Sequence, residues 1–358
     1  RLFMKKKILI MGIETSCDET AVSIIQDNGI KSPKILANII SSQEDVHKKF
    51  GGVVPELAAR SHLEKIGIIT KKALIKSKVR LDDIDAVSAT AGPGLIVCLS
   101  VGLNFAKSLS LALKKPLIAV NHLEGHALSP MFQNNIRYPY LLLLISGGHS
   151  QYLIVNGLGK YKRIGTTIDD ALGEAFDKTA KILGFEFPGG PKIEEYAKKG
   201  DPSRFNLPKP IINKGGCNLS FAGLKTAVFR TAKIINTKKD KFDLAASFQK
   251  TITDIIYKKT KIAIKEFKKY SNRNTLVVAG GVAANKEIRK TIKQICSEVK
   301  FSAVFPEINL CSDNAAMIAL VGLKKFKKGK FDKLNFSVKP RWLLDKKAKF
   351  LKGSGVKL

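Results

Sequence analysis

With 358 residues, 44% of them hydrophobic, the chain can bury a sizeable core and has the length of about two domains. Intrinsic disorder is excluded as the default state. Its 62 Lys+Arg against 30 Asp+Glu leave a net charge of +32, which would draw in polyanions at low salt, although lysines spread along the whole chain are equally what a lysine-rich proteome produces.

In chain order, Arg1-Leu2-Phe3 before Met4 reads as a mis-set start or a cloning scar. Lys5–Lys7 with Ile8–Met11 has the look of a signal peptide, but it is too short and Glu14 interrupts it. Lys7–Ile13 and Ala21–Gln26 are expected as strands joined by the polar turn Glu14–Thr20, and Pro55 as the first position of a helix running to about Ile75. Ala86–Thr90 is expected as a strand; the turn Ala91–Gly94 then leads into a helix up to about Lys114, and Pro116–Val120 is a strand followed by Asn121 as an N-cap. Tyr140–Ile145, the turn Ser146-Gly147-Gly148 and Ser150–Val155 form a hairpin that mirrors the first. Apolar runs such as Leu141–Ile145 fall far short of the roughly 20 residues that span a bilayer. Asp169–Gly184 is read as a helix, Lys199–Ser220 as a long loop, Leu276–Val278 as a strand running into Gly280-Gly281, and a helix follows from about Ala283. The chain from Lys324 is lysine-rich and is expected to be partly a surface tail. The alternation of strands and helices predicts an α/β fold, and the repeated hairpin predicts two similar lobes with a cleft between them. The boundaries are placed at 4–130 for the N-terminal lobe, 131–335 for the C-terminal lobe and 336–358 for a tail. A soluble, cytoplasmic protein with no membrane partner is expected.

Five scattered cysteines without a CxxC pair argue for free thiols in a reducing compartment rather than a disulfide framework. His122 and His126 lie four apart, so a helix would put both imidazoles on one face, as two ligands of one metal require. Gly125 between them weakens that helix unless something approaches closely. Glu124 is one place too late for the HExxH protease pattern, so a carboxylate from elsewhere must complete a site. Asp313 is a candidate, against the plainer reading of a helix cap. Glu174 and Asp177 could face a polyhydroxyl ligand or a metal, or simply pair with Lys178 and Lys181. Three glycine turns, at Gly147, Gly189 and Gly280, can cradle phosphate, while GxxxxGK[ST], GxGxxG and GxSxG are all absent.

These residues carry a resemblance. Gly12–Thr20, Val54–Glu56 with Ala59–His62, His122–His126, Ser146–Ser150, Gly173–Lys178, Pro188–Pro191, Ser220–Lys225, Gly280–Asn285 and Cys311–Met317 together resemble the universal tRNA threonylcarbamoyladenosine synthase catalytic subunit family (TsaD), in its bacterial or organellar form, from about Met4 to Trp342. The departures are small: Gly94-Leu95-Ile96 stands where many relatives carry Gly-Ser-Phe/Tyr-Thr, and Ser150 replaces a frequent threonine.

The resemblance implies an α/β fold of the actin/hexokinase/Hsp70 (ASKHA) kind, two duplicated lobes about a nucleotide cleft. It implies transfer of threonylcarbamoyl from threonylcarbamoyl-adenylate to N6 of the adenosine just 3′ of the tRNA anticodon, in tRNAs reading codons that begin with A, with release of AMP. It implies that His122, His126 and Asp313 hold one divalent metal per subunit, Fe(2+) with Zn or Mg as alternatives. Leu144, Ile145, Ser146, Gly147, Gly148, Asp177, Gly190 and Asn285 fall on substrate-binding positions, and Asp18 and Glu19 on an acidic turn where one could accept the amine proton. Implied partners are tRNA, threonylcarbamoyl-adenylate, a paralogous subunit of the same fold (TsaB-like) and a small ATPase (TsaE-like). Two other readings stand beside it: a metal-dependent peptidase, the role once attributed to the family, and a non-catalytic ATP-binding scaffold. A sugar kinase is weaker, because the metal constellation is foreign to phosphoryl transfer.

Overall fold

A computed structural model describes residues 7–29 and 32–349. The Arg1–Phe3 extension, the start of the signal-like stretch and the last nine residues of the expected tail lie outside the described residues. The first sheet begins with β1 (Ile8–Glu14), β2 (Thr20–Asp27) and β3 (Lys34–Ser41), an antiparallel meander. A short α1 (Glu44–Lys48) precedes α2 (Pro55–Ser77), which opens on its proline as expected. Then β4 (Ala86–Gly92) pairs parallel to β1, α3 (Ile96–Leu113) crosses over, and β5 (Leu117–Asn121) pairs parallel to β4. The Asn121 side chain accepts from the amides of Leu123 and Glu124 and so caps α4 (His122–Leu128).

The second sheet repeats the plan. β6 (Tyr140–Ile145), β7 (Ser150–Gly157) and β8 (Lys160–Thr166) form another antiparallel meander. Four helices follow: α5 (Leu172–Leu183), α6 (Gly189–Ala197), α7 (Ala222–Ala232) and the long α8 (Lys238–Tyr270). β9 (Thr275–Ala279) pairs parallel to β6, α9 (Lys286–Val299) crosses over, and β10 (Ser302–Val304) pairs parallel to β9. The strand orders, β3-β2-β1-β4-β5 and β8-β7-β6-β9-β10, are the same topology twice. The stretch 199–220 carries only turns and an isolated bridge, as its composition predicted; the buried Lys259 of α8 ties it down through the carbonyls of Lys214 and Gly216.

The chain then returns to the first sheet with α10 (Ala315–Phe326). Compact unit one is therefore the chain up to Asn135 together with Pro306–Leu344, and unit two is Ile136–Phe305 with the chain from Asp345. This corrects the expected 4–130, 131–335 and 336–358 division. The cause is packing: α10 is buried on nearly every side against β1, β2, β4 and β5, so it belongs with the sheet it covers. The expected tail is also partly core. Phe336, Val338 and Trp342 pack on the hydrophobic core of the first sheet, and Asp332 accepts from the amide of Ala119.

Helices cover both faces of the first sheet, so β1 is buried from Leu9 to Glu14. Its period of two sends Leu9, Met11 and Ile13 into the cluster shared with Ile66, Ile69 and Leu103 of α2 and α3. Gly12 falls on the opposite face, where an added Cβ would lie 2.3 Å from the Ala315 carbonyl of α10. Glu14 shares that face. α3 is the one described helix long and apolar enough to cross a membrane, and here it packs on β4 and α2.

Candidate metal centre and glycine turns

The histidine pair lies as its spacing predicted, on the first two turns of α4. Gly125 is explained by a close approach: an added Cβ would meet Met317 at 3.0 Å and Ile318 at 3.1 Å, both on α10. The start of α10 brings the third member. Asn314, not Asp313, is the N-cap, accepting from the Met317 amide, and this leaves the Asp313 carboxylate for the histidines. Asp313 Oδ1 lies 3.0 Å from His126 Nε2 and 3.4 Å from His122 Nε2. The three ligand atoms lie within 4.8 Å of one another, and the two rings meet edge to face. His126 is fully buried and His122 nearly so, while the Asp313 side chain is 24% exposed, so access to the group is past the carboxylate.

Behind His122 stands a carboxylate that sequence reasoning did not single out. Glu14, fully buried, takes His122 Nδ1 at 2.9 Å, the Ser16 amide at 2.6 Å and the Thr90 hydroxyl at 2.5 Å. Its signal was there in the alternation of β1, which puts an acidic residue at a position that must be buried. Burial pushes charge off His122, yet Asp313 and Glu14 on its two sides outweigh this and hold the imidazolium well above the usual range. Burial also works against the carboxylates of Asp313 and Glu14, and the imidazoles beside them keep both below the ordinary carboxyl range. An imidazole set between two carboxylates, at 2.9 Å from Glu14 and 3.4 Å from Asp313, marks a place that suits a cation. With His122 Nδ1 directed at Glu14, its Nε2 is left to join His126 Nε2 and an Asp313 oxygen. That donor set fits a divalent ion of intermediate softness such as iron or zinc.

Asp18 and Glu19 lie half-buried in the turn between β1 and β2. Burial, with the charges of Asp313 and Asp18, pushes the Glu19 carboxyl well up, and the same causes raise the Cys17 thiol. His62 braces this turn, its Nε2 2.9 Å from the Cys17 carbonyl and its Nδ1 2.7 Å from the Thr20 hydroxyl. All five cysteines are free thiols, as expected.

The remaining expected site residues lie in unit two. Leu144 and Ile145 are buried in β6, and Ser146, Gly147 and Gly148 turn out of its end, where the Ser146 amide donates to the His149 carbonyl and its hydroxyl accepts from the His149 amide. Gly147 and Gly148 are exposed with open space around them. At the equivalent end of β9, Gly280 has φ +97 and an added Cβ would sit 2.3 Å from the Ile145 carbonyl, so only glycine fits between the two turns. Asn285 is already engaged: its Oδ1 caps α9 at Ile288 and its Nδ2 donates to Gln249. Asp177 accepts from the Gly189 amide and so fixes the turn that presents Gly190. Glu174 pairs with Lys178 at 2.6 Å, the plainer of its two readings.

A family model described as tRNA N6-adenosine threonylcarbamoyltransferase matches residues 34–320. The chain is 67% identical over 357 residues to the protein of that name from Pelagibacter ubique (strain HTCC1062), covering 99% of this chain and 100% of the relative. It is 54% identical over 345 residues to that of Rickettsia rickettsii (strain Sheila Smith), covering 94% and 98%. Among solved structures it is similar to T. kodakarensis HypF, with a TM-score of 0.60, 14% identity and coverage of 90% of this chain and 49% of that one. It is also similar to component A of the (R)-2-hydroxyglutaryl-CoA dehydratase of Acidaminococcus fermentans, with a TM-score of 0.51, 15% identity and coverage of 89% and 98%. At such identities these two speak for the fold alone, the α/β fold of the actin/hexokinase/Hsp70 kind that the doubled sheet topology also gives.

Proposed function

The chain belongs to the tRNA N6-adenosine threonylcarbamoyltransferase family, and from that premise we propose how its residues divide the work. The activity is transfer of a threonylcarbamoyl group to N6 of an adenosine in tRNA. The observation that carries the residue-level reading is the convergence of His122, His126 and Asp313 from α4 and α10.

The donor is threonylcarbamoyl-adenylate, and the acceptor is the adenosine just 3′ of the anticodon in tRNAs reading codons that begin with A. The N6 amine attacks the carbamoyl carbon, the C–N bond forms, the C–O bond to phosphate breaks, and AMP leaves with the electron pair. The leaving group is already good, so orientation supplies much of the rate. His122, His126 and Asp313 would hold one divalent ion, Fe(2+) by family resemblance, and such an ion supplies Lewis-acid stabilisation of charge growing on the carbamoyl oxygen. Backbone amides of Gly147 and Gly148 hold the adenylate phosphate, Leu144, Ile145 and Ser146 fix that turn, and Asp177 with Gly190 receives the ribose. Because the Asn285 side chain is engaged, its part is to anchor the Gly280–Ala284 turn. Asp18 and Glu19, on the acidic turn, are the candidate acceptors of the amine proton, and burial with the charges of Asp313 and Asp18 pushes the Glu19 carboxyl well up. The protein works where tRNA is modified, in the cytoplasm, with a paralogous subunit and a small ATPase.

Nucleoside mass spectrometry on tRNA from depleted cells tests this. Threonylcarbamoyladenosine should vanish, return with the wild-type protein and stay absent with Asp313→Ala. Full restoration by Asp313→Ala would remove the metal-centred reading, and persistence of the nucleoside on depletion would remove the transferase.

A further inference from the structure

We propose that Glu14 is the outer carboxylate of the metal centre, holding His122 in the tautomer that frees Nε2 as a ligand and supplying the buried negative charge that balances the ion. The inference rests on the reading of His122, His126 and Asp313 as metal ligands.

The geometry is specific. Three donors reach the two oxygens of Glu14: the Ser16 amide on Oε1, and the Thr90 hydroxyl and His122 Nδ1 on Oε2. A carboxylate so held only accepts, which puts the His122 proton on Nδ1 and the lone pair on Nε2. The Ser16 hydroxyl, 3.2 Å from the same Nδ1, steadies the ring further. A carboxylate behind a ligating imidazole fixes its orientation and raises its basicity.

The two histidines are unlike in this respect. His126 Nδ1 is buried and has no hydrogen-bond partner among the described residues, so only His122 is backed by a carboxylate. Charge gives a second, independent argument. A divalent ion on two neutral imidazoles and Asp313 leaves one positive charge, and Glu14, fully buried, cancels it. Removing that carboxylate leaves a buried net charge, which proteins tolerate poorly. The plainer role, bracing the end of β1 through Ser16 and Thr90, predicts a loss of stability without a particular loss of metal.

Optical titration with Co(2+) against a competing chelator separates the two. Glu14→Gln keeps the shape and should weaken Co(2+) binding about 10- to 100-fold, while Thr90→Val, which removes a donor from the same oxygen but keeps the charge, should weaken it far less at comparable thermal stability. Equal affinity in Glu14→Gln and wild type overturns the inference, as does an equal loss in both variants. No Co(2+) ligand-field band in the wild type overturns the metal reading beneath it. Should Glu14→Gln fail to fold, 15N spectra of the histidine rings in the zinc-loaded wild type decide: a proton on His122 Nδ1 is the expected result, and one on Nε2 would overturn the proposal.

Discussion

Asn314 shows how a single side chain sets a site it does not touch. Asp and Asn are near-equal caps, and two adjacent candidates, Asp313 and Asn314, precede α10. The structure gives the cap to Asn314, whose Nδ2 also donates to the Ser312 carbonyl, and the turn so formed aims Asp313 at the histidines. Asn314→Ala should cost about 1 kcal/mol in chemical denaturation and should also weaken Co(2+) binding, because the Asp313 turn loses its brace. A loss of stability with unchanged metal affinity would show that the turn holds without the cap. Asp170 offers a pH test elsewhere. It pairs with Lys178 of α5 at 3.0 Å and Lys225 of α7 at 3.1 Å. Burial raises its carboxyl, but the two ammonium groups outweigh burial and hold it below the ordinary value. A depressed carboxyl contributes stability above its unfolded pKa, near 3.9, and that contribution disappears as pH falls through the folded value. Asp170→Asn should therefore be less stable than wild type at neutral pH, by about 1 kcal/mol given the partly exposed lysines, and should converge with it in strong acid. A constant difference across that range would mean that packing, not charge, is lost.

At the scale of elements, the placement of α10 decides whether the centre forms. The helix lies close on the sheet because a glycine on each element leaves room for the other: an added Cβ on Gly12 would lie 2.3 Å from the Ala315 carbonyl, and one on Gly322 would lie 2.6 Å from the Ser88 side chain. Gly12→Ala should push the start of α10 outward, costing about 1–3 kcal/mol by overpacking and carrying Asp313 away from His126. Urea denaturation and Co(2+) titration on the same sample check both halves, and an unchanged affinity would mean that α4 follows α10. Elements whose burial is one-sided or complete were legible beforehand, among them Tyr140–Ile145 and the proline-led α2. The edge strands β3 and β8 were not. β3 buries only Ala37 and breaks its apolar pattern at Asn38, and β8 mixes Lys160, Lys162 and Arg163 into its alternation, as solvent-facing edges do. α8 was missed although its Thr237–Asp240 capping box is written in the chain.

For the molecule as a whole, the histidine pair could be found by spacing, because both residues sit on one short helix. Glu14 was harder to find, because the alternation of β1 marks only its burial, while the helix that covers it lies some 300 residues later. The same non-local packing moved Pro306–Leu344 into the first unit, against a boundary drawn in chain order. Charge is the one global property that sequence states outright, and it leaves two origins open. If the surplus of +32 is directed at tRNA, binding displaces counterions from the phosphates, and neutralising six to ten of them costs about 10³- to 10⁵-fold in affinity between 50 and 200 mM salt. If it is proteome bias, the lysines are dispersed, few meet phosphate together, and the dependence is shallow. The dissociation constant for unmodified tRNA should therefore rise steeply over that range, measured by fluorescence anisotropy with the anticodon stem-loop beside the full tRNA. Similar steep slopes for the two would confine the contacts to the anticodon arm, and a steeper slope for the full tRNA would extend them along its body. A flat slope for both would take the lysines out of recognition and leave binding to the site itself.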